Sequence, residues 1–301
     1  MLRTAILPLL LVSLWSAPTS ANTFTVVELE IEGGIGVATA DYTQGGIEHA
    51  IESGADLIII NMDTPGGLMK PMRGIVQDIL GSPVPIAVYV TPAGARADSA
   101  GTYIVLAAHI AAMSPTTHLG AATPVPLIGG NKTDESDSDE EMPTSPPGMD
   151  RKMMNDAVSY IRGLAERHGR NADWAEKAVT EAATLTATEA LENNVIDFVA
   201  ADRGQLLNLL DGHEIEIAGE QRTLSTDNAE VIAFKPNWRL RLLSVISNPE
   251  IVLLLGLIGL YGLMYEGWNP GAIVPGVVGA ICLLLAAYAL QVIPVNYAGL
   301  G

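Results

Sequence analysis

Ser99 stands in GARADSAGTYIVLAA (Gly94 to Ala108), a run of small residues that leads into an apolar helical pattern. A serine at the start of a helix has two readings. It is a common N-cap, its oxygen accepting a free backbone N–H. It is also a possible nucleophile beside a helix terminus that favours negative charge. Upstream, DTPGG (Asp63 to Gly67) follows an isoleucine-rich stretch, and its glycines let backbone N–H groups approach a ligand closely. With the Ala100 N–H next to the serine, the two segments offer a nucleophile and donors for an oxyanion, the pair that acyl transfer requires. Glycine turns after strands are ordinary, so spacing alone supports a cap at least as well as a nucleophile.

A nucleophilic serine also needs a base. The five histidines are His49, His109, His118, His168 and His213. None has a distinctive sequence context, and His109 falls on an apolar stretch where a packed core histidine is the expected role. A lysine can serve instead, because burial favours its neutral form. Lys152, at the beginning of a long helical pattern, is one candidate, with a surface lysine beside Arg151 as its plain alternative. Lys70, close to the glycine turn, is the other.

The elements that must position these residues alternate between strand and helix. TFTVVELEIEGGI alternates apolar and polar as a half-buried strand does. YTQGGIEHAIESGA reads as a helix ending at Gly54, and DLIIINMDTPGG as a short buried strand. LMKPMRGIVQDILGS is an amphipathic helix with Pro71 early, where a helix tolerates it. PIAVYVTPAG is another strand, after which the Ser99 segment is a helix. AHIAAMSPTTHLGAATP reads as strand, turn and strand, and MDRKMMNDAVSYIRGLAERHG as a long helix stopped by Gly169. Such repetition predicts an α/β fold with a sheet covered by helices.

The 301 residues allow one substantial domain and a smaller region. The hydrophobic fraction of 49% and the mean hydropathy of +0.30 reflect an apolar excess at the two ends of the chain. MLRTAILPLLLVSLWSAPTSANT carries Arg3, an apolar run from Ala5 to Trp15, then small residues to Ala21. It predicts a signal peptide over 1–21, since the run is shorter than the roughly 20 residues that span a bilayer. The exported domain then covers 22–235. From Ile251 to Tyr265 and from Gly271 to Val295 there is no charge, and Glu266, Asn269 and Pro270 interrupt the two runs. This predicts a membrane region over 249–301 with helices at 251–267 and 272–293, the first marginal in length and the second long enough. NWRLRLLSVI, within a linker over 236–248, fits an interfacial helix, although its two arginines also suit a cytoplasmic flank. The signal peptide outweighs that count and places the domain on the periplasmic or extracytoplasmic side.

The net charge of −18 comes without a basic stripe, which argues against nucleic acid as a partner. Much of it is local, in KTDESDSDEE (Lys132 to Glu141) within a solvated loop over 130–148. That loop lacks the glycine-containing pattern of an EF-hand. The single cysteine, Cys282, lies in the second apolar run and allows neither a disulfide framework nor a thiolate metal site. No metal or cofactor is expected.

DTPGG, ARADSAGTYI, MSPTTHLGAATPV, SYIRGLAERHGRNADWAEKAV and LTATEALENNVID, in this order, resemble the NfeD-type membrane-bound serine proteases of the Clp protease/crotonase superfamily. NPGAIVPGVVGAICLLLAAYAL resembles that family's membrane region. The resemblance implies a domain of repeated ββα units followed by a transmembrane hairpin. It implies a dyad of Ser99 and Lys152, oxyanion N–H groups at Gly67 and Ala100, and substrate contacts at Gly66 and Leu68. A related Clp protease has a histidine shortly before the proline of AATP, where this chain has Ala122, which favours the dyad. The resemblance further implies cleavage in apolar segments of membrane partners such as stomatin-like proteins, and a homo-oligomer, dimeric or higher. Two other readings stand beside it. One is an idle scaffold for a stomatin-like partner; the other is an acyl-CoA enzyme, which an exported domain disfavours. The acidic stretch before Lys152 is longer and more charged than the family pattern. Long members continue past a segment like VNYAGL, so the chain is expected to be a truncated member or part of one.

Overall fold

The computed structural model describes residues 23–125, 149–217, 219–235, 249–269 and 273–292. The expected signal peptide, the acidic loop and the linker at 236–248 lie outside these residues. The elements run β1 (Thr25–Glu32), α1 (Val37–Ser53), β2 (Leu57–Asp63), α2 (Met69–Gly81), β3 (Ile86–Val90), β4 (Arg96–Asp98), α3 (Ala100–Ala107), β5 (Ile110–Met113) and β6 (His118–Gly120). They continue with α4 (Met149–Arg167), α5 (Ala172–Thr180), β7 (Thr184–Thr186), α6 (Ala187–Glu192), β8 (Phe198–Val199), α7 (Arg203–Leu210), β9 (Glu214–Ile217), β10 (Glu220–Thr223) and β11 (Glu230–Ala233).

Six strands pair in the order β11-β1-β2-β3-β5-β8, all parallel. β3 (IAVYV) and the first four residues of β2 (LIII) are unbroken buried apolar runs because they are central and covered on both faces. On one face Leu29, Ile60 and Val88 pack under α1 to α4; on the other, Leu57, Ile59 and Tyr89 pack against α7 and the β9–β10 hairpin. β4, β6 and β7 form a second, small sheet beside the ends of β2 and β3. The alternation of strand and helix thus became the α/β fold expected.

α1 begins at Val37, five residues before the apolar pattern shows it. The Thr39 hydroxyl closes its first turn, accepting from the Gly36 N–H at 3.4 Å and donating to the Gly34 carbonyl at 3.1 Å. It ends where expected, at Gly54 with φ +71°. α3 is apolar on every side, and all eight of its residues are buried.

Two further helices, α8 (Pro249–Trp268) and α9 (Ile273–Val292), form an antiparallel pair of 20 residues each. α8 is not the shorter of the two, because its helix runs on through Glu266 to Trp268. By length and composition Ile251–Trp268 can cross a membrane. The two helices approach closely through small residues: a Cβ on Gly262 would meet the Pro275 carbonyl oxygen at 2.5 Å, and one on Gly279 the Gly259 oxygen at 2.8 Å. Their large apolar side chains, such as Leu253, Leu257 and Leu284, point outward and exposed.

Candidate active site

Ser99 joins β4 to α3 with φ 52° and ψ −114°, a conformation an L-residue adopts only under constraint, at a cost of about 1–3 kcal/mol. It occupies the N-cap position, yet its side chain makes no capping hydrogen bond. The hydroxyl is therefore left for something else, and the helix-cap reading does not hold. The constraint comes from neighbours. The Ser99 N–H donates to the Gly120 carbonyl at 2.9 Å. Buried Thr102 lies 2.9 Å from both the Ala97 and Gly120 carbonyls, and its hydroxyl accepts from the Gly120 N–H at 3.1 Å. On the other side Thr64 brackets the segment, donating its N–H to the Arg96 carbonyl and accepting from the Asp98 N–H.

The DTPGG turn lies directly against this serine. A Cβ on Gly66, whose φ is +106°, would stand 2.5 Å from Ser99 Cβ and 3.0 Å from its Oγ. Only glycine fits so close an approach at such a φ. A Cβ on Gly67 would overlap Ile35, its neighbour across a parallel bridge. That bridge decides which amides remain available. The Gly66 N–H is held by the Thr64 hydroxyl at 3.0 Å and the Leu68 N–H by the Ile35 carbonyl at 2.8 Å. Among the described residues the Gly67 N–H and the Ala100 N–H have no acceptor. Both belong to helix starts, α2 and α3, whose dipoles favour negative charge between them. Neither Gly66 nor Leu68 has a backbone donor to offer; Gly66 lies against Ser99 and the Leu68 side chain is half-buried.

Lys152 is exposed in the first turns of α4. The structure does not bring it into hydrogen-bond contact with Ser99, and it has no ion pair among the described residues. Lys70 is exposed in the first turn of α2. Ala122, where the resemblance would put a triad histidine, is 2% exposed, and the Tyr103 hydroxyl lies 3.5 Å from its carbonyl. Four histidines have other occupations. His49 packs on Phe234 and His213 on Phe198, while His109 and His168 face each other at the far end of α3.

The fifth histidine belongs to a cluster that no motif announces. His118 Nε2 lies 3.5 Å from Asp98 Oδ1, and the Arg96 guanidinium is at the same distance from the other oxygen of that carboxylate. The register of β4 against β6 brings these residues together next to Ser99. A second cluster, Arg73, Asp156, Tyr160 and Tyr103, links α2, α4 and α3. Arg73 and Asp156 are 83 residues apart, a separation at which periodicity carries no information.

Residues 25–220 match the N-terminal domain of NfeD1b, and residues 250–301 match the NfeD integral membrane domain. The membrane-bound protease PH1510 of Pyrococcus horikoshii is 36% identical over 301 residues, covering 99% of this chain and 65% of that protein. The membrane protein NfeD1b of Bacillus subtilis is 28% identical over 298 residues, covering 95% of this chain and 61% of that protein. The chain therefore spans less than two thirds of the length of these relatives. Among solved structures, a lysine-to-alanine variant of the 1510-N membrane-bound stomatin-specific protease, in complex with a substrate peptide, superposes with a TM-score of 0.65. It is 36% identical, covering 75% of this chain and 98% of that one. A serine-to-alanine variant of the same protease gives a TM-score of 0.63 at 37% identity, covering 71% and 99%. With its two regions matched in order over nearly its full length, the chain belongs to the NfeD family of membrane proteins.

Proposed function

We propose that this chain is a membrane-anchored serine endopeptidase that works through Ser99 and Lys152. The observation that carries the reading is the uncapped, constrained Ser99, pressed against Gly66 and flanked by two amides that have no acceptor among the described residues. The relatives support it: one is named a membrane-bound protease, and the solved structures of 1510-N include serine and lysine variants.

In this mechanism neutral Lys152 takes the Ser99 proton as the hydroxyl oxygen attacks a peptide carbonyl. The Gly67 and Ala100 N–H groups hold the resulting oxyanion. The lysine then returns the proton to the leaving amine, and water hydrolyses the acyl-serine. No step uses a metal or cofactor. The substrate proposed is an apolar segment of a stomatin-like membrane protein, by analogy with the stomatin-specific relative. The domain works outside the cytoplasm as a homo-oligomer, dimeric or higher, with both α8 and α9 crossing the bilayer.

Cleavage of a stomatin-derived peptide by the wild-type chain, Ser99→Ala and Lys152→Ala tests this. Activity is expected in the wild type alone. Full activity in Ser99→Ala would remove the serine mechanism. Loss in the serine variant alone would move the base to another group, with His118 and Lys70 next in line. The second reading, an idle scaffold for a stomatin-like partner, is favoured by the exposed position of Lys152 away from Ser99. It predicts that the wild type binds the peptide and leaves it intact.

A further inference from the structure

Lys152, Asp156 and Tyr160 recur every fourth residue along α4 and so share one face of it. Asp156 is ion-paired to Arg73 of α2. The Arg73 guanidinium also lies 4.2 Å above the Tyr160 ring, within range of a cation–π contact. Tyr160 in turn stacks on Tyr103 of α3, ring centres 6.0 Å apart.

Two contacts fix the direction of α4 relative to α3. Tyr160 meets Tyr103, and further along both helices His168 Nε2 lies 3.2 Å from the Ala107 carbonyl. The helices run the same way. The part of α4 that precedes Tyr160, with Lys152 on it, therefore extends past the end of α3 that begins at Ser99. Arg73 sits little more than a turn inside α2, which starts at Met69, two residues after Gly67. It joins α2 to α4 directly and reaches α3 through the Tyr160–Tyr103 stack, so the three helices that follow or carry Gly67, Ser99 and Lys152 are linked through one cation.

We infer that Arg73 is a positioning residue for Lys152, an inference that rests on the Ser99–Lys152 reading. By gripping both Asp156 and Tyr160, Arg73 sets the face of α4 that carries the lysine against the start of α3. It also keeps the Asp156 carboxylate occupied. Left alone, that carboxylate would be the natural partner of Lys152 one turn away. The side chains of Arg73 and Asp156 are 34% and 63% exposed, and a pair so exposed contributes little to stability. A positional effect and a stability effect can therefore be separated.

The test measures kcat and KM for peptide cleavage and Tm by calorimetry, on the full chain in detergent micelles. The variants are Arg73→Gln, Lys152→Ala and the charge-swapped double variant Arg73→Asp/Asp156→Arg. Arg73→Gln should lower kcat about 10- to 100-fold, the scale of a misplaced catalytic group, and leave KM and Tm where they were. The swap restores the ion pair but not the contact with Tyr160, so it should recover kcat in part. Wild-type kcat in Arg73→Gln, a loss that falls on KM or Tm instead, or a swap no better than the single variant would each overturn the inference. If Lys152→Ala cleaves as fast as wild type, the dyad itself fails and the inference fails with it. If Lys152→Ala is inactive and Arg73→Gln fully active, the dyad stands and only the positioning role is lost.

Discussion

Gly66 is the residue on which the geometry of Ser99 is most exposed to test. Its φ of +106° and the 2.5 Å between a Cβ there and Ser99 Cβ leave no tolerance for a methyl group. Gly66→Ala should reduce cleavage by about 100-fold or more, as expected when reacting atoms are displaced by an ångström. The rate of Ser99 labelling by a fluorophosphonate should fall in parallel, which reports the hydroxyl directly. The placement of DTPGG and of Ser99 was readable in the chain because each is a contiguous segment placed just after a strand. Which amides of the turn are available was not readable. That depends on Ile35 drawing the Leu68 N–H away while Gly67 keeps its own. Nor could the spacing show that the serine makes no capping bond, which goes with a φ/ψ pair held by Thr102, Gly120 and Thr64.

At the scale of elements, α3 needs more than its own sequence to stay in place. Being apolar all round, it offers no amphipathic face to orient it. Its far end is held by Arg170, only 5% exposed, which donates to the carbonyls of Val105, Leu106 and Ala108 and pairs with Asp197 at 2.7 Å. Arg170→Met removes all of these partners at once and should cost about 3 kcal/mol or more, the range for breaking a buried ion pair from one side. Denaturant unfolding with an unchanged m-value would check it. In ERHGRN the arginine reads as one of several surface charges. Its burial was hidden because its main partners are backbone carbonyls, which leave no trace in composition. Most strands and helices as far as α4 were legible, as was the stop at Gly169; the three-residue β4 and the short elements from α5 to β11 were not, because each is too short to show a period.

Across the whole molecule, the seam between α3, β5 and α4 holds two half-buried histidines. His109 accepts the Ile86 N–H on Nδ1 at 3.3 Å, and His168 lies 3.2 Å from the Ala107 carbonyl. Burial, aided by Arg167 and Arg170 nearby, lowers both to about 4 from the ordinary value of 6.5. The unfolded chain therefore binds more protons than the folded one between those values. The contribution of these histidines is complete above about pH 6.5 and is lost as the pH falls toward 4. Tm should decline through that window, and His109→Gln/His168→Gln should flatten the decline. A slope unchanged in the double variant would assign the acid sensitivity elsewhere.

The parallel sheet has one more consequence. Because β11 runs parallel to β1, the chain leaves Ala233 heading toward the same edge of the sheet that carries Gly66 at the end of β2 and Ser99 beyond β3. The 13 residues from 236 to 248 then lead to the membrane region and can reach at most about 45 Å. The segment that joins the sheet to α8 thus starts from the end of the sheet at which Ser99 lies. For a target in the same membrane, the relevant quantity is the effective concentration set by that segment. On the proposed endopeptidase reading, such a tether lets the enzyme cleave a membrane neighbour for which its affinity in free solution is poor.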